Sequence, residues 1–318
     1  MASIYHGRGA AIGFGQEGAS DYGTAVSRTH WRPLISSSLT RTIEKVPRPT
    51  LRVGSAGAMR RSHYVQSSGV SGSFSCEASY ESIGLLLHNL MGASASTTGS
   101  APYTHTYTIA DDVPTGLTIE NVRGTGTSEV LEGCRLNSGT FSVSAGGVMT
   151  CEFDVIGETG AATPRASAGT PSFSATDAPV LHSHAGQLSW NSATYDLIDM
   201  SLTVNNALAV RQHLGSSVTA KPLRSDFQSI EMSVTVEVED ALYADFISDV
   251  ESNATLSFSN SFREFNIELH NAYLSAASDP ISDANVVRQS LTFIAQSDGT
   301  NEGLKLTVKN DNSSSTEN

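Results

Sequence analysis

The 318-residue chain carries 32 Asp and Glu against 19 Lys and Arg, a formal charge of −13; clustered cations hold a protein to a phosphate backbone, so this balance excludes nonspecific adhesion to nucleic acid. Charged residues are only 16%, and the abundance of Ser, Thr, Gly and Ala suits short strands and turns, which predicts a mainly β chain long enough for two domains of ~150 residues. Cys76, Cys134 and Cys151 form no C-x-x-C pair, so neither a disulfide framework nor a zinc site is implied, and with no apolar run of ~18 residues and no hydrophobic signal core the expected product is soluble and made in the cytoplasm.

In chain order, the stretch through Ala25 is rich in Gly and Ala and contains a formal G-x-G-x-x-G from Gly13 to Gly18. The dinucleotide fingerprint needs a strand before it and a helix after it; the sequence offers neither, and a flexible arm is expected. From Thr29 to Arg52, Pro33, Pro47 and Pro49 break up strand patterns, as at edges or bends. A loop follows from Gly54 to Arg61 that is expected, with the arm, to become ordered only against neighbouring subunits. Phe74, Cys76, Ala78 and Tyr80 then alternate with polar residues, as in a half-buried strand. The period changes to helical over Ile83–Met91, with Gly92 as the stop. Residues 93–100 read as an exposed loop. Strand alternation returns at Tyr103–Ile109, Leu117–Val122 and Met149–Val155, the last with Glu152 and Asp154 on its polar face. Residues 310–318 read as a disordered tail.

The strand-then-helix pattern recurs. Met232, Val234, Val236 and Val238 alternate before a helical pattern over Ala241–Asp249, with Glu239 and Asp240 as first-turn acids. Phe74 and Met232 are 158 positions apart (232 minus 74), nearly half the chain. Similar order on either side predicts an internal duplication: Ser38–Arg52 with Met200–Gln212 upstream, Cys134–Gly157 with Leu269–Asp298 downstream. The expected division is a first module with an N-terminal arm over 1–160, a Pro-rich linker over 161–185, and a second module with its tail over 186–318.

Motifs for chemistry are weak. His182 and His184 could share one face of an extended segment, but no third metal ligand is near. G-x-S-x-G and S-x-x-K are lacking, and residues 298–302 fit a hairpin turn better than a calcium loop. No cofactor, metal or catalytic residue is expected. A secreted or capsid-surface β-sandwich binding module is the alternative class, but the aromatic residues, 7% of the chain, are scattered. A carbohydrate-active enzyme would need a convergent polar constellation that the sequence does not display.

Several short motifs in order carry a family likeness. Gly18 and Tyr22-Gly23-Thr24-Ala25 are followed by Trp31 and Pro33; then come the Gly72–Met91 strand and helix, Gly133-Cys134-Arg135-Leu136-Asn137, the Gly146-Gly147 turn, Asp154–Gly157 and Thr203–Asn206. With these the chain resembles the tail tube proteins of long-tailed bacteriophages. The resemblance implies a β-sandwich or split barrel with one flanking helix per module. It also implies a structural virion protein, assembled in the host bacterial cytoplasm, whose rings stack into a tail tube through which DNA passes without specific binding. Other implied partners are the tape measure and the tail terminator or tip proteins, with no membrane. Single-module members form rings of six, so two modules imply three copies with pseudo-sixfold symmetry, or six copies if the repeat is misread. Candidate lumen-facing acids are Glu152, Asp154, Glu237 and Glu239. The candidate inter-subunit arm comprises Gly18, Tyr22, Gly23, Thr24 and Trp31.

Overall fold

The computed structural model describes residues 7–18, 20–47, 63–92, 95–111, 115–124, 128–160, 169–173, 181–182, 186–279 and 286–316. The first half contains β1 (Ala11–Gln16), β2 (His30–Pro33), β3 (Ser36–Ser37), β4 (Thr40–Pro47), β5 (His63–Glu77), α1 (Gly84–Met91), β6 (Ala95–Thr98), β7 (Tyr103–Thr108), β8 (Leu117–Val122), β9 (Ser128–Ser144), β10 (Thr150–Gly157) and β11 (Thr159–Gly160). The second contains β12 (Gly186–Trp190), β13 (Ala193–Tyr195), β14 (Leu197–Asn205), β15 (Leu208–Arg211), β16 (Ala220–Arg224), β17 (Ser229–Glu237), α2 (Asp240–Ile247), β18 (Glu251–Asn260), β19 (Arg263–Ser278), β20 (Arg288–Ala295) and β21 (Leu304–Asn310). The chain is mainly β, and both segments whose period changes from two to helical are helices.

One antiparallel sheet crosses the whole molecule in the order β4-β5-β10-β9-β14-β17-β20-β19. Two further sheets pack against its apolar face. One runs β2-β1-β8-β9-β11, and the other β13-β12-β18-β19-β21-β7-β6. The long strands β9 and β19 belong to two sheets each, because each bends at a residue in the left-handed region, Gly133 (φ 61°) and Asn271 (φ 44°). Glycine and asparagine tolerate that conformation better than most residues, and the bend carries the strand from one layer into the other.

The core follows from the period-2 pattern. Phe74 and Phe153 face each other across β5 and β10, and Met232 and Phe293 do so across β17 and β20. Phe14 of the covering layer meets Phe74 at 5.3 Å between ring centroids, and Trp190 meets Phe293 at 4.9 Å. Phe141 sits 5.8 Å from Phe153 and 6.3 Å from Phe265, so aromatic packing crosses from the first half to the second in one continuous core. α1 packs on β9, with Leu90 over Gly139, where even a Cβ would lie 2.6 Å from the leucine. α2 packs on β19.

Three expectations are corrected. The Gly-rich N-terminal stretch is not a flexible arm over its whole length: Ala11–Gly15 are buried in β1, between β2 and β8. Its glycines admit close neighbours, since a Cβ on Gly13 would lie 2.8 Å from the Trp31 ring. Residues 95–98 of the expected loop form β6. The tail is ordered through Thr316, because its polar groups find partners: Asn310 Nδ2 donates to the Tyr80 carbonyl at 2.8 Å, and the Tyr107 hydroxyl donates to the Ser315 carbonyl at 2.6 Å. The loop from Gly54 to Arg61 lies outside the described residues. Of the expected linker, Leu181 is buried and its N–H donates to the Ala78 carbonyl.

Because Phe141 touches both halves of the core, Phe141→Ala should cost about 3–5 kcal/mol and lower the melting of both halves together. Thermal unfolding followed by near-ultraviolet circular dichroism, with a single shifted transition, is the expected result.

Candidate assembly surfaces

The seam between the halves shows how this fold joins sheet to sheet. β14 lies antiparallel to β9 from Asp199 opposite Ser144 to Asn205 opposite Ser138. On the polar face hydroxyls meet across it, Thr140 with Thr203 at 3.2 Å and Ser142 with Ser201 at 3.4 Å. On the apolar face Asn206 is fully buried and donates to the carbonyls of Leu90 at 2.9 Å and Leu136 at 3.1 Å, satisfying the α1 C-terminus. Beyond the sheet, β7 of the first half extends the second half's layer beside β21. Buried Glu81 takes the Arg263 guanidinium at 2.5 Å, an arrangement that leaves neither charge uncompensated.

Among the described residues the same sheet ends in two open strand edges. Among the described residues β4 pairs only with β5, and the Leu274–Ser278 part of β19 pairs only with β20. Open edges expose unpaired backbone donors and acceptors and serve as templates for another strand. Ile43 on β4 is 45% exposed. The helices differ in the same sense: seven of the eight α1 residues are buried, but Leu242 alone in α2.

The face of the sheet opposite the core is mainly polar, interrupted by Ile156, Ile294 and Tyr273. Ser and Thr predominate, and the charged side chains across β5, β10, β14, β17 and β20 are Glu77, Glu152, Asp154, Asp199, Glu231 and Glu237, with the base Arg288 opposite Glu237. Three of the acids singled out from sequence, Glu152, Asp154 and Glu237, thus share one surface. Glu239 lies past the end of the strand, as the N-cap residue of α2, and lines an open cleft of about 240 Å³ together with Glu237, Tyr195 and Asp196. Asp199 and Glu231 were not singled out, although their period-2 placement on β14 and β17 was available as a signal.

Of the N-terminal motif, Gly18 and Thr24 are exposed, while Trp31 is buried against Gly13. Tyr22 donates to the Gly133 carbonyl at 2.6 Å, and burial pushes its phenol well up, against the opposing Arg135 guanidinium. Buried Glu17 accepts from the N–H groups of Gly23 and Gly133 and from the Thr118 hydroxyl. This motif fastens the chain start to the bend of β9. Beside it burial and the Glu17 charge raise the carboxyls of Glu132 and Glu158 above the ordinary range. Of the histidine pair, His182 bridges to Val148, and His184 lies outside the described residues. Asp298 accepts the Thr300 and Asn301 N–H groups in a turn between β20 and β21, bonds that hold its carboxyl below the usual range.

A raised folded pKa means the ionised Glu158 is disfavoured in the native state, a penalty present at neutral pH and relieved as pH falls through the raised value. Glu158→Gln should therefore melt higher than wild type at pH 7, with the gap closing as pH approaches the normal carboxylate range; paired melts across pH check this.

Among the described residues no helix is long and apolar enough to cross a membrane, and no group of three or more His, Cys, Asp or Glu is placed to hold a metal ion. A comparison with curated proteins finds none that matches this chain. The profile of one protein family, described as phage tail tube protein, matches residues 7–295, nearly the whole length. Mainly β in architecture, the chain belongs to the phage tail tube protein family.

Proposed function

We propose that this subunit closes into rings that stack as the tail tube, and that it does so by repeating between copies the strand pairing that joins its own halves. The observation that carries the reading is the order of elements. β4-β5-β10-β9 with α1 after β5, and β14-β17-β20-β19 with α2 after β17, have the same connectivity. The covering layers β2-β1-β8-β9-β11 and β13-β12-β18-β19-β21 also correspond strand for strand. This supports two copies of one module, with β6–β7 and β15–β16 as insertions. β9 takes β14 at the seam; its counterpart β19 then takes the counterpart of β14, β4 of the next copy. A closed ring leaves no edge, and three two-module chains give pseudo-sixfold symmetry.

In this reading the polar face lines the channel and DNA passes through it during ejection. A surface of hydroxyls and carboxylates repels a polyanion and offers few cations to trap phosphates. Glu152, Asp154 and Glu237 are the lumen acids, joined by Asp199 and Glu231, and Glu239 belongs to the rim. Gly18 and Thr24 are the residues of the N-terminal motif open to a neighbour. The tape measure would occupy the lumen before ejection, and terminator and tip proteins would cap the tube, in a tail assembled in the host cytoplasm. The role is structural, with no catalysis.

Native mass spectrometry with negative-stain microscopy tests the ring. Three chains per ring with six similar lobes is the expected result; a ring of six chains, or a persistent monomer, overturns the pseudo-sixfold reading. For the channel, the double substitution Glu152→Lys and Glu237→Lys should leave the fold within ~0.5 kcal/mol of wild type, as surface substitutions usually do, yet slow DNA ejection at low salt and less so at high salt. Normal ejection rates at low salt would remove these residues from the channel wall.

A further inference from the structure

The contrast between the helices points to a specific contact between copies. α1 is roofed within its own chain, but α2 leaves Tyr243 45% and Ile247 66% exposed, with Val286 at 67%. Its C-terminal end is also electrostatically unfavourable. Asp245 lies in the last turn and Asp249 and Glu251 just beyond, where the helix carbonyls already present negative charge. Asp245 is engaged by Trp190 Nε1 and Asn191, whereas Asp249 and Glu251 are exposed.

The seam indicates what completes this end. At α1 the task falls to Asn206, which donates to the carbonyl of Leu90, the seventh residue of that helix. The buried Leu208 follows two positions later. Thr40 lies opposite Ser71 and Asn205 opposite Ser229, and Ser71 and Ser229 are separated by 158 positions (229 minus 71), the offset relating Phe74 to Met232. By register, then, Asn206 corresponds to Arg41 and Leu208 to Ile43. Within its own chain Arg41 reaches Ser68 Oγ at a long 3.5 Å and lies within electrostatic range of Glu132, and Ile43 is 45% exposed. A cation and an apolar side chain on β4 thus match the acidic C-terminal end and apolar flank of α2.

We propose that Arg41 and Ile43 of one copy seat on α2 of the next. Arg41 lies at the terminal carbonyls around Phe246, close to Asp249, and Ile43 lies against Ile247 and Tyr243. The contact rests on the ring reading given above and specifies which side chains, besides backbone, choose the partner. Charge opposition across such a contact fixes register and suppresses wrong partners.

The test is oxidative cross-linking of the full chain carrying Ile43→Cys and Ile247→Cys. These positions lie near opposite ends of the eight-stranded sheet, about 34 Å apart at ~4.8 Å per strand spacing, so a bond within one chain is out of reach, and the native cysteines are buried. Dimer and trimer bands on a non-reducing gel, absent from wild type and from each single variant, are expected. Normal rings by microscopy with no cross-link would overturn the helix contact and leave the ring reading standing. Failure of wild type to assemble at all would remove the ring reading, and this contact with it. If the double variant does not fold, Arg41→Glu replaces it. It should raise the concentration needed for ring formation about tenfold or more with the monomer still folded by circular dichroism; an unchanged threshold overturns the proposal.

Discussion

Backbone pairing between β9 and β14 is the interaction on which the rest of the molecule depends. A strand edge that faces water carries a row of donors and acceptors ready for another strand, and here the edge of the first four strands is satisfied by the first strand of the second four. That single junction makes one sheet of eight strands. It aligns the polar face across both halves and brings Phe141 within reach of Phe265. The buried side chains beside it, Asn206 above all, belong to the seam because they satisfy the helix carbonyls that the junction would otherwise bury unpaired.

Two bends make the seam compatible with a packed core. β9 and β19 each begin in a covering layer and end in the long sheet, turning at Gly133 and Asn271. The bend in β9 is held by the N-terminal segment, where Glu17 accepts the Gly133 N–H and Tyr22 donates to the Gly133 carbonyl. Residues that look like a loose leader thus fix the angle between two layers. The C-terminal tail acts similarly on the other side, fastening the turn before α1 through Asn310 and Asn312.

The long sheet's two faces have separate physical duties. The inner face is aromatic and aliphatic and contributes the burial that stabilises the fold, at about 1.5–3 kcal/mol for each large side chain fully removed from water. The outer face has few large apolar groups, and its hydroxyls bond to one another across strands, leaving a hydrated surface with carboxylates spaced along it. Such a face offers few cations and little apolar area, whereas the edges and the α2 flank expose unpaired backbone groups and apolar side chains among the described residues.

By itself the sequence determined the class, the two strand-then-helix units, the alternation that separates inner from outer faces, and the placement of Glu152, Asp154 and Glu237 on a polar face. All of these are local, since side chains alternate along any strand and follow one another at 3.6 residues in any helix. The tertiary structure decided what depends on contacts between distant positions. It turned the glycine-rich start into buried β1, because Gly13 fits beneath Trp31 some 18 positions away (31 minus 13). It ordered the polar tail, whose partners are at Tyr80, Glu81 and Tyr107. It took Glu239 off the sheet, because the strand ends at Glu237 and the next two residues lead into α2. It also set Asp199 and Glu231, whose outward placement the alternation of β14 and β17 already carries, beside the other acids, because strand order is fixed by pairing and not by local period. Hydrogen bonds and ring contacts formed across such separations leave no periodic trace in the chain, which is why they became legible only once the strands were set side by side.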